Sequence, residues 1–67
     1  MKRFNKEQVA QLINTVVTEN IAQTDQKIYD TCRSAVYDNF KPTKSLLTFM
    51  NYDAPKLVHT LITIKRK

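Results

Sequence analysis

Cys32 and His59 are the two side chains of this sequence whose types could serve nucleophilic catalysis or bind a metal, and each is the only residue of its kind. A catalytic cysteine needs a histidine to activate it and a third group to orient that histidine. Cys32 falls on the apolar face of a predicted helix, where a thiol packs as a small hydrophobic group. A structural zinc site usually takes four Cys or His ligands. We therefore expect no catalytic pair, no metal site and no cofactor.

The carboxylates and the composition also predict a protein that is not an enzyme. Glycoside hydrolysis and two-metal phosphoryl transfer need carboxylates that converge on one point, but the six here are scattered along the chain. The chain contains no glycine. Walker loops and dinucleotide fingerprints need glycine for the close approach of backbone amides to phosphate oxygens, so both are excluded.

Basic residues are concentrated in residues 41–67. Residues 1–40 hold five cations and five carboxylates, whereas residues 41–67 hold six cations and Asp53 alone, which accounts for the net charge of +5. We expect this basic part to form a helix-turn-helix, with a turn near residues 51–54 and the last helix as the reader of duplex DNA. The candidate nucleic-acid contacts are Lys41, Lys44, Lys56, His59, Thr60, Thr63, Lys65, Arg66 and Lys67.

Three interpretations of the basic part remain open. The first is a small DNA-binding regulatory protein, in which the neutral residues 1–40 pair two chains as a homodimer. A chain this short buries only about 60% of its unfolded surface, so self-association would add support. The second is an inhibitor or adaptor that docks its basic end on an acidic surface of a larger protein. The third is a solvated basic face without a partner.

The first helix has the clearest start signal. Asn5 can accept a hydrogen bond from the amide of Gln8, while Phe4 and Val9 stand at the two positions of a hydrophobic staple. Apolar residues then recur at helical spacing as far as Val17. This pattern predicts a helix over residues 6–19.

The middle of the chain predicts a second helix over residues 25–38. Asn20 could end the first helix in the left-handed conformation, and Thr24 or Asp25 could begin the next, although a single uninterrupted helix also fits the apolar spacing. We favour the break near residues 20–25. Asn39 could end the second helix in the same left-handed conformation, before Pro42.

The basic part itself predicts two short elements. A helix over residues 44–51 places Leu46, Leu47, Phe49 and Met50 inward, with Asn51 as its left-handed cap. Asp53 could then cap a helix over residues 55–65, with Pro55 in its first turn and Tyr52 as a staple residue. The β-branched residues of 56–64 leave a strand as the alternative for this last element. Residues 65–67 are expected to form a mobile cationic end.

The sequence as a whole predicts one small all-α domain over residues 1–67, a bundle of three to four helices. The longest uncharged stretch of the basic part, residues 57–64, is far too short to span a membrane, and no signal-peptide core follows the basic N-terminus. We expect no membrane partner and a cytoplasmic location, which also suits a single free thiol.

Overall fold

The computed structural model describes residues 2–67 and is built from helices. These helices are α1 (Lys6–Glu19), α2 (Asp25–Asn39), α3 (Lys44–Thr48) and α4 (Ala54–Lys65), and a π-helical turn over Phe49–Asp53 joins α3 to α4. The only β-type pairing within residues 2–67 is an isolated parallel bridge between Lys2 and Phe40. The predicted all-α bundle is confirmed, and the last element is a helix, not the alternative strand.

The start of α1 follows the sequence pattern, because Asn5 Oδ1 accepts from the amide of Gln8 at 3.1 Å. The expected left-handed caps at the helix ends are wrong, since no residue of 2–67 has a positive φ. Instead, Asn20 Nδ2 donates to the carbonyl of Val16 at 2.8 Å, and Asn39 Nδ2 donates to Ala35 O at 2.7 Å. Val16 O also accepts from the backbone amide of Asn20 at 3.1 Å, so at the end of α1 the asparagine side chain adds a second hydrogen bond to a carbonyl of the last turn.

The predicted break between the first two helices is confirmed. α1 ends at Glu19 and α2 begins at Asp25, with Thr24 as its N-cap: the Thr24 hydroxyl accepts from the amide of Lys27 at 3.3 Å. The interpretation as one uninterrupted helix is therefore excluded.

The second predicted break, near residues 51–54, does not exist. Thr43 caps α3, with its hydroxyl accepting from the amide of Leu46 at 3.3 Å. From there Thr48, Phe49, Asp53 and Ala54 all have right-handed helical torsions, and the Asp53 side chain makes no capping hydrogen bond. Residues 44–65 form one continuous helix, which we call the long helix.

Pro55 explains the π-helical turn inside the long helix. The amide of Ala54 donates to the carbonyl of Phe49, five residues back, and Pro55 has no N–H to give to the next carbonyl, that of Met50. The Tyr29 hydroxyl of α2 donates to Met50 O at 3.3 Å instead. The wider turn accommodates the proline, and a side chain from another helix satisfies the carbonyl that lacks an intrahelical partner.

The hydrophobic core lies where α1, α2 and the long helix meet. α1 packs against α2 and α4, and α2 packs against α4. No polar or charged residue of 2–67 is buried. Two residues expected to pack inward do not: Leu47 is 42% exposed and Tyr52 is 70% exposed. The staple expected of Tyr52 fails because no helix begins beside it. The buried residues are Val9, Ile13, Val16, Val17, Ile28, Cys32, Val36, Phe40, Leu46, Phe49, Met50, Ala54, Val58 and Ile62.

Candidate nucleic-acid interface

The surface of the long helix that points away from α1 and α2 is polar and basic along its whole length. Residues three or four apart lie about one turn apart on a helix, so a series with this spacing forms one face. We call this series the outer face. All of its members are exposed, and one exposed carboxylate, Asp53, lies beside them and lines a surface pocket with Lys44 and Thr48. The outer face comprises Lys44, Thr48, Tyr52, Lys56, Thr60 and Thr63, with Lys67 just beyond the helix end.

The outer face includes five of the nine predicted contact residues. His59 lies beside it, on the flank towards α2, where it lines a shallow groove of about 300 Å³ with Asp25, Tyr29 and Pro55 among others. Thr63 Oγ1 donates to the carbonyl of His59 at 2.9 Å, so this hydroxyl presents acceptor positions to the outside.

Lys65 and Arg66 do not join this face. Lys65 is half-buried. Arg66 is engaged within the molecule: Nη1 donates to Asp25 Oδ1 at 2.6 Å, and Nη2 donates to the carbonyl of Gln23 at 2.7 Å and to that of Ile21 at 3.4 Å. The expectation that residues 65–67 form a mobile cationic end is wrong for Arg66, because these contacts tie it to the loop between α1 and α2.

Lys41 and Lys44 lie at the opposite end of the long helix from Lys67. With a rise of about 1.5 Å per residue, the backbone of Lys44 is roughly 30 Å from that of Lys67, and the longest dimension of the molecule is 33 Å. The expected helix-turn-helix is wrong in its geometry, since its two helices are parts of one continuous helix. The predicted residues form an extended surface with two basic ends.

Two cations that the sequence pattern does not single out lie next to the Lys44 end. The bridge between residues 2 and 40 pairs two chain segments: Lys2 N donates to Asn39 O at 3.1 Å, and Lys41 N donates to Lys2 O at 2.8 Å. The pairing brings Arg3 towards Lys41. Further along, Lys6 and Lys44 line the same surface pocket. In the sequence, one pattern occurs twice, over residues 3–6 and 41–44: a cation, a capping residue two positions later, and then a lysine. Only the fold shows that these two segments are adjacent.

The structure places Cys32 and His59 in different environments. Cys32 is fully buried and its thiol lies 3.9 Å from the carbonyl of Ile13, whereas His59 is exposed. Desolvation by burial raises the pKa of the Cys32 thiol to about 11, so it is protonated at neutral pH. Within residues 2–67 there is no cluster of His, Cys, Asp and Glu side chains suited to a metal ion.

None of the helices in residues 2–67 combines the length and the apolar character that a membrane crossing requires. Comparison of the chain with protein-family models, with curated proteins and with solved structures found no match.

Proposed function

We propose that this chain is a non-enzymatic, regulatory DNA-binding protein that contacts the phosphates of duplex DNA through the outer face of the long helix. The observation that carries the proposal is the series of exposed lysines and hydroxyl groups along this face, beside which Asp53 is the one carboxylate of the long helix. Lys44, Lys56 and Lys67 supply positive charge at its two ends and its middle, and the threonine hydroxyls and Tyr52 supply polar groups between them. The positive charge of such a surface attracts a polyanion.

The length of the outer face suits a duplex laid along the helix. The backbones of its terminal lysines are roughly 30 Å apart by helix rise, and the long lysine side chains extend this span towards one turn of B-DNA at about 34–36 Å. Lysines at both ends can therefore reach phosphates one turn apart, with Lys56 at an intermediate crossing of the backbone. Contacts of this kind position a protein without reading the base sequence.

A fluorescence anisotropy titration with a labelled duplex of about one and a half turns tests this proposal. We expect binding that weakens steeply as salt rises, because bound phosphates release counterions. The double variant Lys56→Gln/Lys67→Gln should lower the slope of log K against log salt by about 1.8, from about 0.9 per phosphate contact.

The matched control for this titration is Lys27→Gln/Arg33→Gln, which removes the same charge from positions of α2 away from the outer face. Equal losses in the two double variants would show a response to net charge alone. Absence of binding by the wild type at low salt would refute the proposal.

The homodimer and the cytoplasmic location stay predictions. The core closes within one chain, and the large apolar side chains exposed within residues 2–67 are Leu47, Tyr52 and Ile64. Because a single copy presents the whole outer face, phosphate binding does not require a second subunit. Sedimentation at micromolar concentration measures the oligomeric state, and a stable monomer would remove the paired half-sites that a dimer implies.

One observation favours the alternative partner, an acidic surface on a larger protein. Tyr52 is 70% exposed and lies between Thr48 and Lys56 on the outer face, and aromatic side chains are enriched at protein interfaces. A pull-down from nuclease-treated extract separates the two partners. Retention of one acidic protein after nuclease would favour docking, and loss of all partners would favour DNA.

A further inference from the structure

The two chain segments that lead into α1 and α3 run side by side. The parallel bridge joins them at residues 2 and 40, and the rings of Phe4 and Phe49 pack at 5.6 Å just beyond it. Paired strands are spaced about 5 Å apart, so cations on the two segments are held close together. We call this cluster the paired helix entry, and it consists of Arg3, Lys6, Lys41 and Lys44.

The two halves of the paired helix entry match position by position. Asn5 and Thr43 are the N-caps of α1 and α3, and each accepts a hydrogen bond from the amide three residues on. Lys6 and Lys44 are the first residues of the two helices. A further cation precedes each cap by two residues. The fold therefore gathers four cations from segments that are far apart in the sequence.

This arrangement is unfavourable for the isolated protein. The first turn of a helix carries partial positive charge, so a lysine at the first position is repelled. Glu7 offsets this repulsion in the first turn of α1, whereas the first turn of α3 has no acidic residue. The only ion pair within residues 2–67 joins Arg66 to Asp25, at the other end of the molecule. Asp53 lines the same pocket as Lys6 and Lys44 but lies beyond ion-pair distance of both. Positions that break a local stability rule in this way are often functional.

We infer that the paired helix entry is the main phosphate anchor of the interface, and that Arg3 and Lys6 bind the DNA backbone together with Lys41 and Lys44. The inference rests on the proposed function and adds to it a site and two residues. The anchor lies at one end of the outer face, so the duplex is held most firmly there and more weakly along Lys56 and Lys67.

The binding test compares two double variants with equal loss of charge, Arg3→Gln/Lys6→Gln and Lys27→Gln/Arg33→Gln, by anisotropy with the same duplex. We expect the first to lower the salt slope by about 1.8 and the affinity at low salt by about tenfold or more, and the second to change both much less. Wild-type affinity and slope in the Arg3→Gln/Lys6→Gln variant would overturn the inference. If the wild type itself does not bind, the proposed function has failed.

Thermal unfolding measured without DNA is the second test of the inference. Replacing Lys6 and Lys44 with glutamine should raise the midpoint of thermal unfolding at low salt by about 2–6 °C, because repulsion at two helix starts is removed. The same variant should gain less thermal stabilisation from added duplex than the wild type does. A lowered midpoint would show that the lysines stabilise the helix starts, and would overturn the inference.

Discussion

The two predicted breaks of this chain carry similar sequence signals but have different structures. At the first, Asn20 is followed by a capping threonine, and the chain forms a loop over residues 20–24. At the second, Asn51 is followed by Asp53 and Pro55, yet the helix continues through a π-helical turn. The difference lies in the partners of the backbone: Thr24 caps a new helix, whereas Tyr29 satisfies the carbonyl that Pro55 leaves without an N–H donor. A local signal ends a helix only when no distant group supports its continuation.

The largest effect expected from this comparison is that of Asn51→Pro. In a loop a proline at position 51 would be tolerated, but within the long helix it removes an amide donor and its ring clashes with the preceding turn. We expect a loss of about 3 kcal/mol in the free energy of unfolding, measured by urea denaturation. The control is Asn51→Ala, which keeps the helix. Equal stability of the two variants would indicate a loop at this position.

Tyr29→Phe tests the support of the π-helical turn directly. Loss of the hydroxyl leaves Met50 O without its hydrogen-bond donor, and we expect a cost of about 1–2 kcal/mol. In a Pro55→Ala background the cost should largely vanish, since the new amide at position 55 can serve that carbonyl. The double-mutant cycle measures this coupling.

Tyr37→Phe is the control for the cycle, because no hydrogen bond of the Tyr37 hydroxyl lies within the described residues and its loss should change stability little. Additive effects of Tyr29→Phe and Pro55→Ala would contradict the assignment of Tyr29 as the replacement donor.

The features that could be predicted from the sequence are those that neighbours along the chain determine. The caps at Asn5 and Thr24 depend on an amide three residues away. The π-helical turn depends on the hydrogen bond from Tyr29 to Met50 O, and these two residues are twenty-one positions apart. The apolar spacing of residues 44–65 gives no sign of that contact. Because the helix continues through this turn, the staple that the sequence predicts for Tyr52 does not form.

In the candidate site, too, some features follow from neighbours along the chain and others depend on distant contacts. The basic character of residues 41–67 and the common face of Lys56, Thr60 and Thr63 come from composition and helical spacing. The positions of Arg3 near Lys41 and of Lys6 near Lys44 come from the bridge between residues 2 and 40, a pairing across 38 residues. Pairings of this kind have no local pattern, because a single bridge is too short to show strand alternation.

Replacement of asparagine by alanine should change the free energy of unfolding in opposite directions at the two predicted breaks. Asn20→Ala removes the hydrogen bond to Val16 O and should cost about 1 kcal/mol. Asn51→Ala replaces an exposed helical asparagine with the best helix former and should stabilise the protein by about 0.5 kcal/mol. Chemical denaturation of both variants measures the difference, and the same sign in both would mean that the two positions have the same local structure.

Arg66→Gln should have the smallest effect on the free energy of unfolding. Compared with Lys67→Gln, it distinguishes a residue that stabilises the fold from one that binds DNA. Arg66 contacts Asp25 and the carbonyl of Gln23, but its side chain is 42% exposed and that of Asp25 is 60% exposed, so solvent screens the pair. We expect a loss of about 0.5 kcal/mol that shrinks as salt rises, together with faster amide hydrogen exchange in residues 20–25. Lys67→Gln removes the same charge from a side chain with no such contacts, and it should weaken DNA binding while leaving loop exchange unchanged. If both variants altered exchange equally, the Arg66 contacts would not hold the loop, and the first break would owe its structure to Asn20 and Thr24 alone.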